Sequence, residues 1–313
     1  MYSKKFKYYI LGGFIGTRYM KRTIPVIWLL AISILPGRGQ EGTYYYGPNS
    51  RPVTRQAEAV MMKEVIKRSE GSYLMKTFRK AGDEWKPESR GKVRIASGGN
   101  QVIRLRENSF FPQRIVREME PLGSGDYLFS EYVRESLVRT GTTSAVLPLH
   151  LEGTVTEYHP GGNVKSVSEY RDNQLMSNRN WLPDGSPYID SVFYSADREP
   201  EYERGDAFFN GYLLQKLQNS GIDLSQIEDR VVIGWVVMET GQIEGVIILK
   251  GIARQLNNYL VETINELPGS WEPARLNGRP VRYFMSIPLN FTHREANFQE
   301  VDLSTGRLHY SKY

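Results

Sequence analysis

The stretch VVIGWVVMETGQIEGVIILKGIARQLNNYLVETINELPGSWEPARLNGRPVRYFMSIPLNF, residues 231–291, carries the clearest fold information in the chain. Residues 231–238 form a β-branched apolar run that stops at Glu239-Thr240-Gly241-Gln242. Residues 245–250 are a second such run, so the two read as a hairpin. Leu256, Leu260, Ile264 and Leu267 then recur on one helical face until Pro268-Gly269 ends the helix. Asn277-Gly278 turns the chain into a third strand over 281–291. Pro288 cannot donate to a ladder, which sets that strand at an edge or ends it there. Trp235 and Trp271 are expected as core anchors rather than as a peptide-stacking surface.

Upstream, residues 196–228 read as a connector, charged over 197–204 and followed by a polar helix over 211–219 with Leu213, Leu214 and Leu217 on one face. Before it lies an internal repeat. Tyr158-His159-Pro160-Gly161-Gly162 shifted by 23 positions lands on Trp181-Leu182-Pro183-Asp184-Gly185, and the same shift pairs Ser168 with Ser191 and Tyr170 with Phe193. Each unit is an aromatic-led strand, a Pro-x-Gly turn and a return strand ending in an aromatic. One hairpin cannot bury its own apolar face, so such units are expected to stack into a longer sheet. Residues 40–150 hold short apolar runs between Gly, Asn and Pro, which favours hairpins; residues 57–67 fit a helix or a strand equally.

The amino terminus reads as a targeting segment. Lys21 and Arg22 precede a run of twelve apolar or small residues, 24–35, and Gly37-Arg38-Gly39 follows. Twelve helical residues span about 18 Å, short of a bilayer core of roughly 30 Å, so a cleaved signal peptide over 1–39 is expected, with Met20 as a second start. The formal charge of +5 also belongs there. Residues 1–39 hold seven Lys and Arg and no acid, leaving 33 basic against 35 acidic residues in the body. That body exerts no net attraction on polyanions, which argues against nucleic acid as a partner.

Little in the composition points to catalysis. With no cysteine there is no disulfide, thiolate metal site or thiol nucleophile. The four histidines (His150, His159, His293, His309) lack metal-ligand spacing, His159 is expected in an exposed repeat turn, and Ser166 and Ser168 sit in no nucleophile elbow. Glu239 and Glu244 flank a hairpin turn, where charged residues are ordinary. No enzyme, metal or cofactor is expected.

Two resemblances add to this reading. GTVTEYHPGGNVKSVSEY and NWLPDGSPYIDSVFY, within 151–195, are similar to the MORN-like hairpin repeats of the YwqK antitoxin family, whose members often serve as recognition or scaffolding surfaces. Residues 229–293 resemble the TonB C-terminal domain. The likeness is carried by Gly234-Trp235-Val236-Val237, Glu239-Thr240-Gly241, Gly245-Val246, Trp271-Glu272-Pro273, Asn277-Gly278-Arg279-Pro280-Val281 and Pro288-Leu289-Asn290-Phe291. A Tyr-Pro start, a long Pro-rich spacer and a lasting membrane anchor are missing, which points to a module reused in a soluble or tethered protein.

The fold expected is therefore α+β: a hairpin-rich antiparallel region over 40–150, MORN-like hairpins over 151–195, then a small TonB-like β-β-α-β domain with a three-stranded antiparallel sheet, and a tail over 294–313. The TonB resemblance implies a periplasmic protein associated with transmembrane transport, membrane-bound only if the leader is retained. It would bind an outer-membrane receptor or other envelope protein as an added strand along Val281, Arg282, Tyr283, Phe284, Met285, Ser286 and Ile287. Arg279 and Arg282 beside that edge read as a solvated face. The alternative is a scaffold in which the repeats mediate interaction and the last domain forms a homodimer.

Overall fold

The computed structural model describes residues 41–96, 99–107, 113–224, 227 and 229–291. The leader and the tail lie outside them, as do His293 and His309.

The described chain is dominated by strand. Twelve strands build one antiparallel sheet: β1 (Gly42–Tyr46), β2 (Pro52–Val53), β3 (Met61–Ser69), β4 (Ser72–Ala81), β5 (Glu84–Ile95), β6 (Gln101–Glu107), β7 (Gln113–Pro121), β8 (Tyr127–Val133), β9 (Ser136–Thr143), β10 (Leu151–Tyr158), β11 (Val164–Arg171) and β12 (Gln174–Asn180). From β3 to β12 every strand pairs with its neighbour in sequence, while β1 sits between β2 and β3. The expected α+β organisation is thus corrected. What read as separate hairpin regions is one meander, which runs through position 150/151 without a break; of residues 57–67, 61–67 lie in β3, and a short 3-10 turn, Gln56–Glu58, precedes it.

The turns explain the meander. In the first repeat unit His159 N–H bonds Asn163 O, and Gly162 N–H bonds His159 O, with Gly162 at φ +86°. The second unit repeats this 23 residues on: Leu182 N–H to Ser186 O, Gly185 N–H to Leu182 O, Gly185 at φ +86°. The same pair of bonds closes 122–126, and glycine is favoured at the left-handed position because it has no Cβ to clash there. The opposite ends of the hairpins close on two residues at positive φ, Arg134-Glu135 and Asp172-Asn173.

The second repeat unit departs from the first. Its return segment runs beside β12, with Tyr188 N–H on Asn180 O and Ser191 N–H on Asn178 O, then leaves as β13 (Val192–Phe193) to join another sheet. That second sheet is built from β13, β15 (Arg230–Val237), β16 (Ile243–Lys250), β18 (Ala274–Leu276) and β19 (Arg279–Asn290). Its order is β13-β19-β15-β16, with β18 on β19. It therefore holds five strands, not the three expected. β14 (Glu201–Tyr202) and β17 (Trp271–Glu272) form a separate ribbon.

Two helices cover one face of the five-stranded sheet. α1 (Gly205–Gln218) starts six residues before the expected helix and buries Phe209, Leu213 and Leu217. α2 (Arg254–Asn265) buries Leu256, Leu260 and Ile264, the stripe read from the sequence. Against them lie Val231, Ile233, Trp235 and Val237 of β15 and Tyr283, Met285, Ile287 and Leu289 of β19. Trp235 and Trp271 stand in this core with ring centroids 6.0 Å apart, and Phe209 contacts both. Among the described residues no helix is long and apolar enough to cross a membrane.

The long sheet is bent. Its strand order ends at β2 and β12, yet Asn49, between β1 and β2, donates its side-chain amide to Leu175 O of β12 at 2.8 Å. Asn173 Nδ2 reaches Ser50 O at 2.9 Å. The two ends therefore come round to meet. The 144–150 connection folds across the hollow face, where Val146 O accepts Gln101 Nε2 at 2.7 Å and Leu147 joins the apolar cluster of Val65, Val93, Ile103 and Ile115.

Trp235 is fully buried and its indole N–H has no acceptor among the described residues. Trp235→Ala should lose about 3–5 kcal/mol. Trp235→Phe should lose much less, because it keeps most of the ring volume and removes an unsatisfied donor. Urea unfolding of both variants reads the difference.

Candidate functional site

The expected site, residues 281–287, lies in β19, and its surroundings differ from an open edge. On the inner side β19 pairs with β15 from Arg230↔Asn290 to Val237↔Tyr283. On the outer side β18 pairs with Arg279, Pro280 and Val281, and β13 runs parallel to Arg282 and Tyr283. Tyr283 thus already has strand neighbours on both sides, and Val281 and Arg282 have one on the outer side.

β13 is firmly seated. Asn178 of β12 accepts from Val192 N–H at 3.0 Å and donates to Val192 O at 2.6 Å, and Arg282 Nη1 donates to Asp190 O at 2.9 Å. Further along β19, Met285 and Ile287 are core residues, Ser286 is buried, and the Phe284 ring lies 5.9 Å from that of Tyr194. Arg282, expected on a solvated face, also pairs with Glu239 at 3.1 Å. Adding a strand along 281–283 would mean displacing two strands, one of them pinned to the larger sheet.

The open edge lies at the other end of the order. Among the described residues β16 pairs with β15 alone. One hydrogen bond reaches its backbone from elsewhere, Tyr188 Oη to Gly245 O at 2.5 Å. Its sequence, IEGVIILK, is β-branched and half-buried between an exposed Glu244 and an exposed Lys250. The hairpin 231–250 was legible as two apolar runs; which of its strands faces outward depends on β13, which periodicity does not reveal.

The long sheet contains a second constellation that the motif reading missed. Gln101, Arg117, Glu131, Arg139, Glu157, Ser166 and Asn180 occupy one register row across seven consecutive strands. All are buried. Arg117 Nε and Arg139 Nε donate to the two oxygens of Glu131 at 2.8 and 2.9 Å, and Arg117 Nη1 donates to Gln101 Oε1 at 2.7 Å. The available signal was parity: Arg117 alternates with Ile115 and Met119, and Glu131 with Phe129 and Val133, so the charges share the face of the apolar residues. Burial pushes the Glu131 carboxyl up, and the guanidinium groups of Arg139 and Arg117 more than reverse this, holding it at about 2.

Of the histidines, His159 is half-buried rather than exposed, with Nε2 2.9 Å from Trp181 O. His150 lies 3.1 Å from Asp172 and 3.7 Å from Glu152. These three could share a cation by distance. Glu152, however, already accepts the Asp172 N–H at 2.8 Å, and the group closes the β11–β12 turn.

No family model, curated protein or solved structure matches the chain.

Glu131→Gln should cost about 3–5 kcal/mol, because it leaves two guanidinium groups without their buried counter-charge. In the wild type, the folded carboxyl titrates below its unfolded value of 4.5. Its stabilisation is complete above that value and is lost as pH falls toward about 2. Thermal melts between pH 6 and 2 should show a steeper loss for the wild type than for Glu131→Gln.

Proposed function

We propose that the chain is a non-catalytic, exported envelope protein that binds a partner protein by strand addition along β16. The observation that carries this reading is the open outer backbone of β16 among the described residues. An edge of unpaired N–H and C=O groups is a template for another strand: main-chain hydrogen bonds supply affinity and the half-exposed side chains supply selectivity. The TonB-like motifs at Trp271-Glu272-Pro273 and 277–281 support an outer-membrane receptor as partner, and the leader-like segment supports export to the periplasm. Both rest on resemblance. β16 is preferred to the expected 281–287 because β13 and β18 already pair with β19 over residues 279–283.

A second reading takes another copy of this chain as the added strand. Antiparallel pairing of two β16 strands about Ile247 would set Glu244 of each opposite Lys250 of the other, a complementary pairing of exposed charges.

Ile247 lies mid-strand, half-buried and outside the helix-covered core. A lysine there blunts an edge without removing a core residue. Immobilised wild-type chain should retain receptors from an outer-membrane extract, identified by mass spectrometry, and Ile247→Lys should retain at least tenfold less. Equal recovery would defeat the proposal. A concentration-dependent dimer in light scattering, abolished by Ile247→Lys, would give the edge to a second copy.

A further inference from the structure

The hollow of the long sheet holds a cleft of about 210 Å³ whose lining includes no residue of β16. Its polar wall is Lys63 and Thr77, facing each other across β3 and β4, with Arg79, Arg117 and Arg139. Its apolar wall includes Met61, Met75, Leu147, Leu149 and Leu175. Cationic and aliphatic side chains thus line one space, with Met61 directly opposite Arg79 in the register of β3 and β4.

The charges do not cancel. Arg79 is paired with Glu88 at 3.0 Å, Arg117 and Arg139 share Glu131, and Glu157 beside Arg139 also faces Lys165 at 3.8 Å. Among the described residues, the cleft-lining Lys63, Arg79, Arg117 and Arg139 meet two carboxylates, Glu88 in the lining and Glu131 behind it, a surplus of two positive charges. Lys63 is the cation left over. Its ammonium stands over the Tyr46 ring, with Nζ 5.5 Å from the centroid, and the Glu88 carboxylate that attracts it is already paired with Arg79. Burial, together with the nearby Arg139, pushes its ammonium down to about 8. A cation that is partly desolvated, repelled by its neighbours and aimed into a cleft is costly for the fold alone. An incoming anion would offset that cost.

We infer that this cleft binds a small organic carboxylate, with the carboxylate on Lys63 and Thr77 and an aliphatic or aromatic body against Met61, Met75 and Leu175. A cleft of this volume suits a short-chain or single-ring acid. Inorganic phosphate would satisfy the charge but leave the apolar wall bare. This inference is independent of the strand reading, since no β16 residue lines the cleft.

Calorimetric titration of the full chain with benzoate, hexanoate, inorganic phosphate and benzyl alcohol tests it. The two acids should bind at least tenfold more tightly than phosphate or the alcohol. Lys63→Met should weaken both acids at least tenfold, with a melting temperature equal to or above that of the wild type because it removes an uncompensated charge. Reductive methylation read by peptide mass spectrometry is a check on the unmutated chain: benzoate should slow labelling of Lys63 and leave Lys86, an exposed lysine outside the cleft, unchanged. Failure of both acids to bind, tighter binding of phosphate, full affinity in Lys63→Met, or unprotected Lys63 labelling would each overturn it.

Discussion

The two hydrogen bonds between the Asn178 side chain and the main chain of Val192 decide how the molecule is assembled. One amide group on the last strand of the long sheet holds both the N–H and the C=O of a residue that belongs to the other sheet. Because Val192 is fixed there, β13 lies against β19, and β19 becomes an inner strand over its first half. The polarity of the five-stranded sheet follows: its occupied side faces the long sheet and its open side is β16. A buried amide satisfied at both ends is a sharp geometric constraint, since losing either bond would strand a polar group away from water.

This constraint also marks where sequence reading stops. The apolar runs of β15 and β16, the stripe on α2 and the two tryptophans were visible because each depends on residues close in the chain. So was the 23-residue repeat, whose two turns have matching bonds and matching glycine geometry. The cover that β13 and β18 give to residues 279–283 of β19 was not legible, because strand order depends on contacts across long separations. A two-residue strand such as β13 carries no periodicity at all. The α+β expectation failed for a related reason: hairpins with ordinary turns look alike whether they form several small sheets or one large one.

Within the long sheet, polar residues behave differently according to whether they find counterparts. The row centred on Glu131 is closed: two guanidinium groups, a carboxylate and an amide satisfy one another in the interior, and Glu131 stays ionised despite its burial. Lys63, on the same hollow face, has an aromatic ring and shares its nearby carboxylate, Glu88, with Arg79. The same low-polarity surroundings that strengthen the closed row penalise the open one. A structural role accounts for the first group, and only the second calls for something from outside.

The meander has an evolutionary corollary. When each strand from β4 to β12 pairs only with its chain neighbours in the sheet, a hairpin of some twenty residues is an interchangeable unit. Duplicating or deleting one changes the circumference of the hollow while leaving every other pairing in place. The width of the hollow, and with it the size of whatever it encloses, could therefore be altered in steps of one hairpin, without inventing a new topology.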